Sequence, residues 1–158
     1  MWYNMGKIPT DWGEIMFIGE YNHKIDARGR INIPSKLREN LDERFFLTKG
    51  LDNCLFLFPE DEWKVFEEKL KTLPLTNRNA RAFVRLFFAG ASECAIDKQG
   101  RINIPNNLLK HSKIEKEVMI IGVGQRIELW SKKEWTRYNE PDNISYDEIA
   151  EQMAELGI

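Results

Sequence analysis

Two short segments hold the residue types best able to act on a ligand. Asp26 and Arg30 stand four apart around Gly29; Asp97 and Arg101 stand four apart around Gly100. Arginine presents a planar fork of donors suited to bidentate contact with a guanine edge or a phosphate. An Asp that opens a tight turn accepts backbone N–H groups, and a glycine near its end supplies positive φ. The same spacing allows each Arg to pair back onto its own Asp. The two arrangements are compatible, because a carboxylate holding one side of a guanidinium orients the other. Lys24, Arg28, Lys36, Arg38 and Lys98 fall on or near the same loops. Their clustering points to phosphate contacts on nucleic acid, against the plainer reading of each as a solvated charge. The first loop carries Ala27-Arg28 where the second carries Lys98-Gln99, so the two need not contribute equally.

Chemistry of other kinds finds little support. No Ser/His/Asp grouping, paired-carboxylate motif, phosphate-cradling glycine loop or metal-ligand spacing occurs, so no enzyme activity, cofactor, metal or small-molecule substrate is expected. Cys54 and Cys94 lie 40 residues apart with no CxxC pattern, which reads as two reduced thiols of a cytoplasmic protein. No apolar run approaches the ~20 residues of a membrane span. His23 is expected on a half-buried strand face, and His111 in solvent after a short helix. Gly122-Val123-Gly124 reads as a turn-like pair. Trp63 and Trp135 are expected in the core. Arg78, Arg81 and Arg85 form one helical stripe, read as a solvated face, or as a partner for acidic residues of a neighbouring subunit.

The elements that position the Asp/Arg pairs come from a repeat. Residues 25–37 read IDARGRINIPSKL and residues 96–108 read IDKQGRINIPNNL, identical at nine of thirteen positions at an offset of 71. Downstream, LFLFPEDEW at 55–63 resembles IELWSKKEW at 127–135 at an offset of 72. Each copy predicts a first strand (Tyr21, His23 and Ile25 on one face; Ser92, Cys94 and Ile96 in the other copy). An Asp-x-x-Gly turn closes a bulged hairpin onto a second strand (30–33 or 101–104). Pro34 and Pro105 then suit the first turn of short helices at 35–40 and 106–111. Further strands follow at 44–48, 53–58, 117–121 and 126–130. Helices are expected at 60–72, at 77–88 with Thr76 as its cap, and at 146–156, where Ile149, Met153 and Leu156 share a side. Strands this short require the copies to bury their apolar faces against each other.

The 158 residues are 42% apolar and carry a net charge of −2. That is enough apolar matter for a globular core. The charge is unevenly spread. Residues 139–158 hold six acidic residues and no Lys or Arg, leaving 23 basic against 19 acidic residues in the rest. Between Glu20 and Arg38 there are five basic residues and two acidic ones. Residues 1–15 lack periodicity and read as a non-native or disordered leader before Met16, a reading that an N-terminal peptide map checks.

The pattern Ile-Asp-x-x-Gly-Arg-Ile-x-Ile-Pro-x-x-Leu resembles the AbrB-type swapped-hairpin motif. Two copies in one short chain resemble the MraZ family, as do MFIGEY at Met16, LTKGLDNCLF at 47–56, LPLTNRNAR at 73–81 and DKQGRINIP at 97–105. The resemblance implies a β-rich α+β fold: two tandem AbrB/SpoVT-like swapped-hairpin units forming a pseudo-dimeric barrel with linking helices. The units are 16–73, with its C-terminal helix, and 87–138; a connecting helix spans 74–86 and an acidic helix or tail 139–158. It further implies a DNA-contacting Asp-x-x-x-Arg pattern at Asp26/Arg30 and Asp97/Arg101, ring-like homo-oligomers, and nucleoid-associated regulation of transcription. Its target would be direct repeats in double-stranded promoter DNA, those of its own operon with the division and cell-wall gene cluster. The competing expectation is a ring-forming assembly or protein-binding module without direct DNA readout.

Overall fold

The computed structural model describes residues 16–157; the reading of residues 1–15 as a leader lies outside them. In chain order the elements are β1 (Phe17–Lys24), β2 (Arg30–Asn32), α1 (Ser35–Arg38), β3 (Phe45–Lys49), β4 (Leu55–Pro59), α2 (Glu60–Lys71) and α3 (Arg78–Gly90). The second half follows with β5 (Ser92–Cys94), β6 (Arg101–Asn103), α4 (Asn106–Ser112), β7 (Glu117–Gly124), β8 (Ile127–Ser131), α5 (Lys132–Tyr138) and α6 (Tyr146–Glu155).

The halves exchange strands. A six-stranded antiparallel sheet runs β1-β7-β8-β4-β3-β5, and a separate two-stranded ribbon pairs β2 with β6. β1 therefore lies on β7 of the other copy and β5 on β3 of the other copy. The expected hairpin between β1 and β2 does not form as a ladder: the Asp26 turn closes, but the strands leaving it pair across the repeat. The barrel expectation is also corrected, since the six-stranded sheet is open, with β1 and β5 at its ends.

Alternation of side chains makes the sheet two-faced. Leu55 and Leu57 of β4, Ile127 and Leu129 of β8, and Val118 and Ile120 of β7 face one buried cluster, with Ile31, Ile33, Ile102 and Ile104 of the ribbon segments, Leu37 and Leu108. Both copies supply this cluster, so neither half buries its ribbon without the other. Phe56, Phe58, Met119 and Trp130 face the opposite cluster, which Trp63 and Leu70 of α2 and Phe87 of α3 complete. Each such large side chain contributes roughly 1.5–3 kcal/mol on burial. Inside this layer the Thr48 hydroxyl donates to the Phe87 carbonyl at 2.7 Å. Glu128 accepts from Trp130 Nε1 at 2.9 Å and pairs with Arg126, whose guanidinium lies over Phe56.

Local details refine the sequence reading. The cap of α3 is Asn77, whose side chain accepts from the Ala80 N–H at 2.9 Å, one residue after Thr76. Pro34 and Pro105 stand at the N-cap rather than inside the first turn. Helix α5 was not expected; Ser131 caps it. Gly122 and Gly124 belong to strand β7, not to a turn. A Cβ on Gly122 would lie 2.4 Å from the Ile18 nitrogen, so glycine there lets β1 approach. Trp63 is buried, and Trp135 packs partly buried against the same aromatic cluster. His111 is half-buried, its Nε2 3.1 Å from the Gly50 carbonyl, and not in open solvent. No helix among the described residues is long and apolar enough to cross a membrane.

Candidate nucleic-acid interface

The ribbon is built from the most repeated residues in the chain. Arg30 lies opposite Asn103, Ile31 opposite Ile102 and Asn32 opposite Arg101. Both isoleucines are buried beneath. Period-two alternation then places Arg30, Asn32, Arg101 and Asn103 together on the outer face. The ribbon is braced beyond its three pairs: Ile33 N–H donates to the Gly100 carbonyl at 3.0 Å and Ile104 N–H to the Gly29 carbonyl at 2.8 Å. The Asn32 amide donates to the Gln99 carbonyl at 3.0 Å. Each Asp-x-x-Gly turn is thereby tied to the strand of the other copy.

The two turns have the same construction. Asp26 Oδ1 accepts from the N–H groups of Arg28 and Arg30, both at 2.9 Å. Asp97 Oδ1 accepts from Gln99 at 2.8 Å and Arg101 at 2.9 Å. Gly29 and Gly100 each sit at φ +79°, a conformation that suits glycine. Arg30 Nε donates to Asp26 Oδ2 at 3.1 Å and Arg101 Nε to Asp97 Oδ2 at 3.0 Å. The intramolecular pairing allowed by the spacing is thus present in both copies. It uses only Nε, and the two terminal nitrogens of each guanidinium have no partner among the described residues. The Arg side chains are 30% and 25% exposed. Backbone N–H donation from Arg30, and then from Arg28, holds the Asp26 carboxyl below its ordinary range; Arg101 and Gln99 do the same for Asp97. Both carboxylates therefore stay charged through neutral and mildly acidic pH.

The remaining basic residues separate. Arg28 and Lys98 are exposed in the two turns and Lys24 is exposed at the end of β1, while Lys36 is exposed on α1. Arg38 differs. It is half-buried, and a Cβ on Gly100 would fall 2.2 Å from its Nη1, so its guanidinium packs on the second turn. Its Nε is buried without a hydrogen-bond partner. The corresponding contact on Gly29 comes from Leu109, an apolar side chain at the equivalent position. His23 Nδ1 lies 2.8 Å from the Asn32 carbonyl, which links β1 to the ribbon. Cys54 is buried, and burial pushes its thiol well above the ordinary range; Cys94 is partly buried, and the two are free thiols. Strand alternation points Asn32 and Asn103 away from the isoleucines, and both are exposed on the ribbon, but sequence reasoning did not name them as site residues. The signal was present in the identical Arg-Ile-Asn-Ile-Pro runs, where Asn falls two residues after Arg.

Comparison with known proteins agrees with the repeat. The family model described as "MraZ protein, putative antitoxin-like" matches twice in tandem, over residues 16–86 and 87–156. Over 143 residues, 90% of this chain and 100% of the relative, the chain is 66% identical to "Transcriptional regulator MraZ" of Alkaliphilus metalliredigens. With the same coverage it is 65% identical to the protein of that name from Alkaliphilus oremlandii and 62% to that from Clostridium tetani. Matched in both halves and along the whole length of such relatives, the chain belongs to the MraZ family.

Proposed function

We propose that the protein is a transcriptional regulator that binds double-stranded DNA sequence-specifically through the outer face of the β2–β6 ribbon and its two turns. The observation that carries this reading is the pair of guanidinium groups, each held at Nε with its terminal nitrogens free, beside Asn32 and Asn103. Arg recognises the O6/N7 edge of guanine and Asn the N6/N7 edge of adenine. A two-stranded ribbon is narrow enough to enter the major groove. Arg28, Lys98, Lys24 and Lys36 then serve phosphates and fix the register. Arg38 is assigned to holding the Gly100 turn. The names of the relatives support the regulatory reading, and the reciprocal strand exchange supports describing the halves as swapped-hairpin units paired within one chain. The proposal extends to direct repeats in promoter DNA, a ring-like homo-oligomer, and action in the cytoplasm at the nucleoid.

The test is fluorescence anisotropy on DNA from upstream of the protein's own gene. Arg30→Ala and Arg101→Ala are expected to cost about 1–3 kcal/mol each, roughly 5- to 150-fold, on the specific site. Lys36→Ala should weaken specific and unrelated DNA alike. Undiminished specific binding by both arginine variants, with folding and assembly intact, overturns the assignment.

A further inference from the structure

The last helix has an apolar side that is only partly covered. No residue of α6 is buried. Ile149 is 37% exposed and Leu156 74% exposed on the side they share with Met153. The repeat explains why. α2 and α5 begin at equivalent positions, and each is followed by a second helix, α3 or α6. α2 runs twelve residues and carries Leu70 to a buried place beside α3. α5 stops at Tyr138, and at the same offset Leu70 corresponds to Asp142. α6 therefore lacks the long partner helix that α2 offers α3.

A surface of matching character lies between α2 and α3. A groove of about 310 Å³ is lined by Leu73, Leu75, Val84 and Phe88, with Arg81 and Arg85 along it, and no residue of α6 contributes. Leu75 is 80% exposed. From Lys69 to Ser92 the chain holds five basic residues and no acidic one. Arg78, Arg81 and Arg85 pair with no carboxylate among the described residues; Arg81 donates only to the Leu75 carbonyl, at 3.1 Å. α6 has the opposite sign: Asp147, Glu148, Glu151 and Glu155, with no Lys or Arg, and none of the four in an ion pair among the described residues.

We propose that α6 of one copy docks, apolar side inward, in the α2–α3 groove of a second copy, its carboxylates meeting the Arg81 and Arg85 stripe. Ten helical residues span ~15 Å, a length suited to one groove, and this docking follows the helix-in-groove pattern of spaced apolar anchors. The contact is heterologous, a tail on one copy and a groove on the next, and repetition of it closes a ring when the rotation per step allows. The proposal deepens the homo-oligomer part of the function proposed above and rests on that part alone.

Site-directed cross-linking tests it in the full chain with Cys54→Ala and Cys94→Ala as background. One copy carries Val84→Cys, and a second, distinguishable by an added tag, carries Ile149→Cys. The expected result is a disulfide between the two sizes after mild oxidation, absent when Glu20→Cys replaces Val84→Cys. A companion variant, Arg81→Glu with Arg85→Glu, should weaken self-association on the order of tenfold or more. Reversal of charge on α6, Glu148→Arg with Glu151→Arg, should restore it. A missing cross-link with assembly intact by light scattering overturns the docking and spares the oligomer. A monomer by light scattering overturns both. In a chain that carries both Val84→Cys and Ile149→Cys, a cross-link formed only within one chain overturns the docking between copies. Loss of DNA affinity in the double Arg variant with assembly unchanged assigns the stripe to DNA and also overturns it.

Discussion

Gly100 and Arg38 illustrate how single residues set the geometry of the ribbon's edge. Gly100 has φ +79°, and its missing side chain is the space the Arg38 guanidinium occupies. An alanine there incurs left-handed backbone strain of about 1–2 kcal/mol and also displaces Arg38. Gly124 has φ +81° with nothing within 4 Å, so an alanine there incurs the strain alone. Gly100→Ala is therefore expected to destabilise more than Gly124→Ala in urea unfolding, and Arg38→Ala in the Gly100→Ala background should remove much of the difference. Equal effects of the two glycine substitutions would show that Arg38 does not depend on the turn. The types and spacing of Asp26, Gly29, Arg30 and their counterparts were legible in sequence, because a turn closed by an Asp carboxylate and a glycine is a local structure. The role of Arg38 was not. Its contact reaches across the repeat to residue 100, and sequence proximity suggested only one more cation near the first loop.

Among the elements, β1 is the most exposed to a local lesion. It is an end strand of the sheet, and its ladder is entirely with β7. Gly122 admits it, since a Cβ there would meet the Ile18 nitrogen at 2.4 Å and the Phe17 carbonyl carbon at 2.5 Å. Gly122→Val is expected to loosen β1 selectively. Hydrogen exchange should then show lost protection of the amides of β1 that bond to β7, while β3, β4 and β8 keep theirs. Unchanged protection along β1 would mean that the strand is held by its side chains alone. The sequence placed most strands and helices within a few residues. It missed α5, whose seven residues begin directly after β8 with no intervening loop. It also assigned β1 and β2 to one hairpin. A turn signal states that the chain reverses; it does not state which strand each arm will join.

For the whole molecule, repetition would reconcile a net charge of −2 with the proposed DNA ligand. One ribbon offers few cations, and release of counterions from so few phosphates yields weak binding. Several copies in the proposed homo-oligomer would make each further engagement effectively intramolecular. Affinity is therefore expected to rise steeply from one to four DNA repeats and to fall steeply with salt, as measured by titration at two salt concentrations. A single repeat bound as tightly as four would place all specificity in one ribbon. The sequence alone determined the twofold repeat, the Asp-x-x-Gly-Arg turns, the alternating strands and the segregation of acid to the last twenty residues, because all of these are local patterns of type and spacing. The tertiary structure decided which copy each strand joins, that the sheet stays open, that β2 and β6 pair so that both Arg/Asn faces form one surface, and that Arg38 turns inward. The reason is physical. Both copies carry nearly the same motif, so local propensity does not distinguish pairing within a copy from pairing across. The difference arises only when Ile31, Ile33, Ile102 and Ile104 enter one core, which neither half closes without the other.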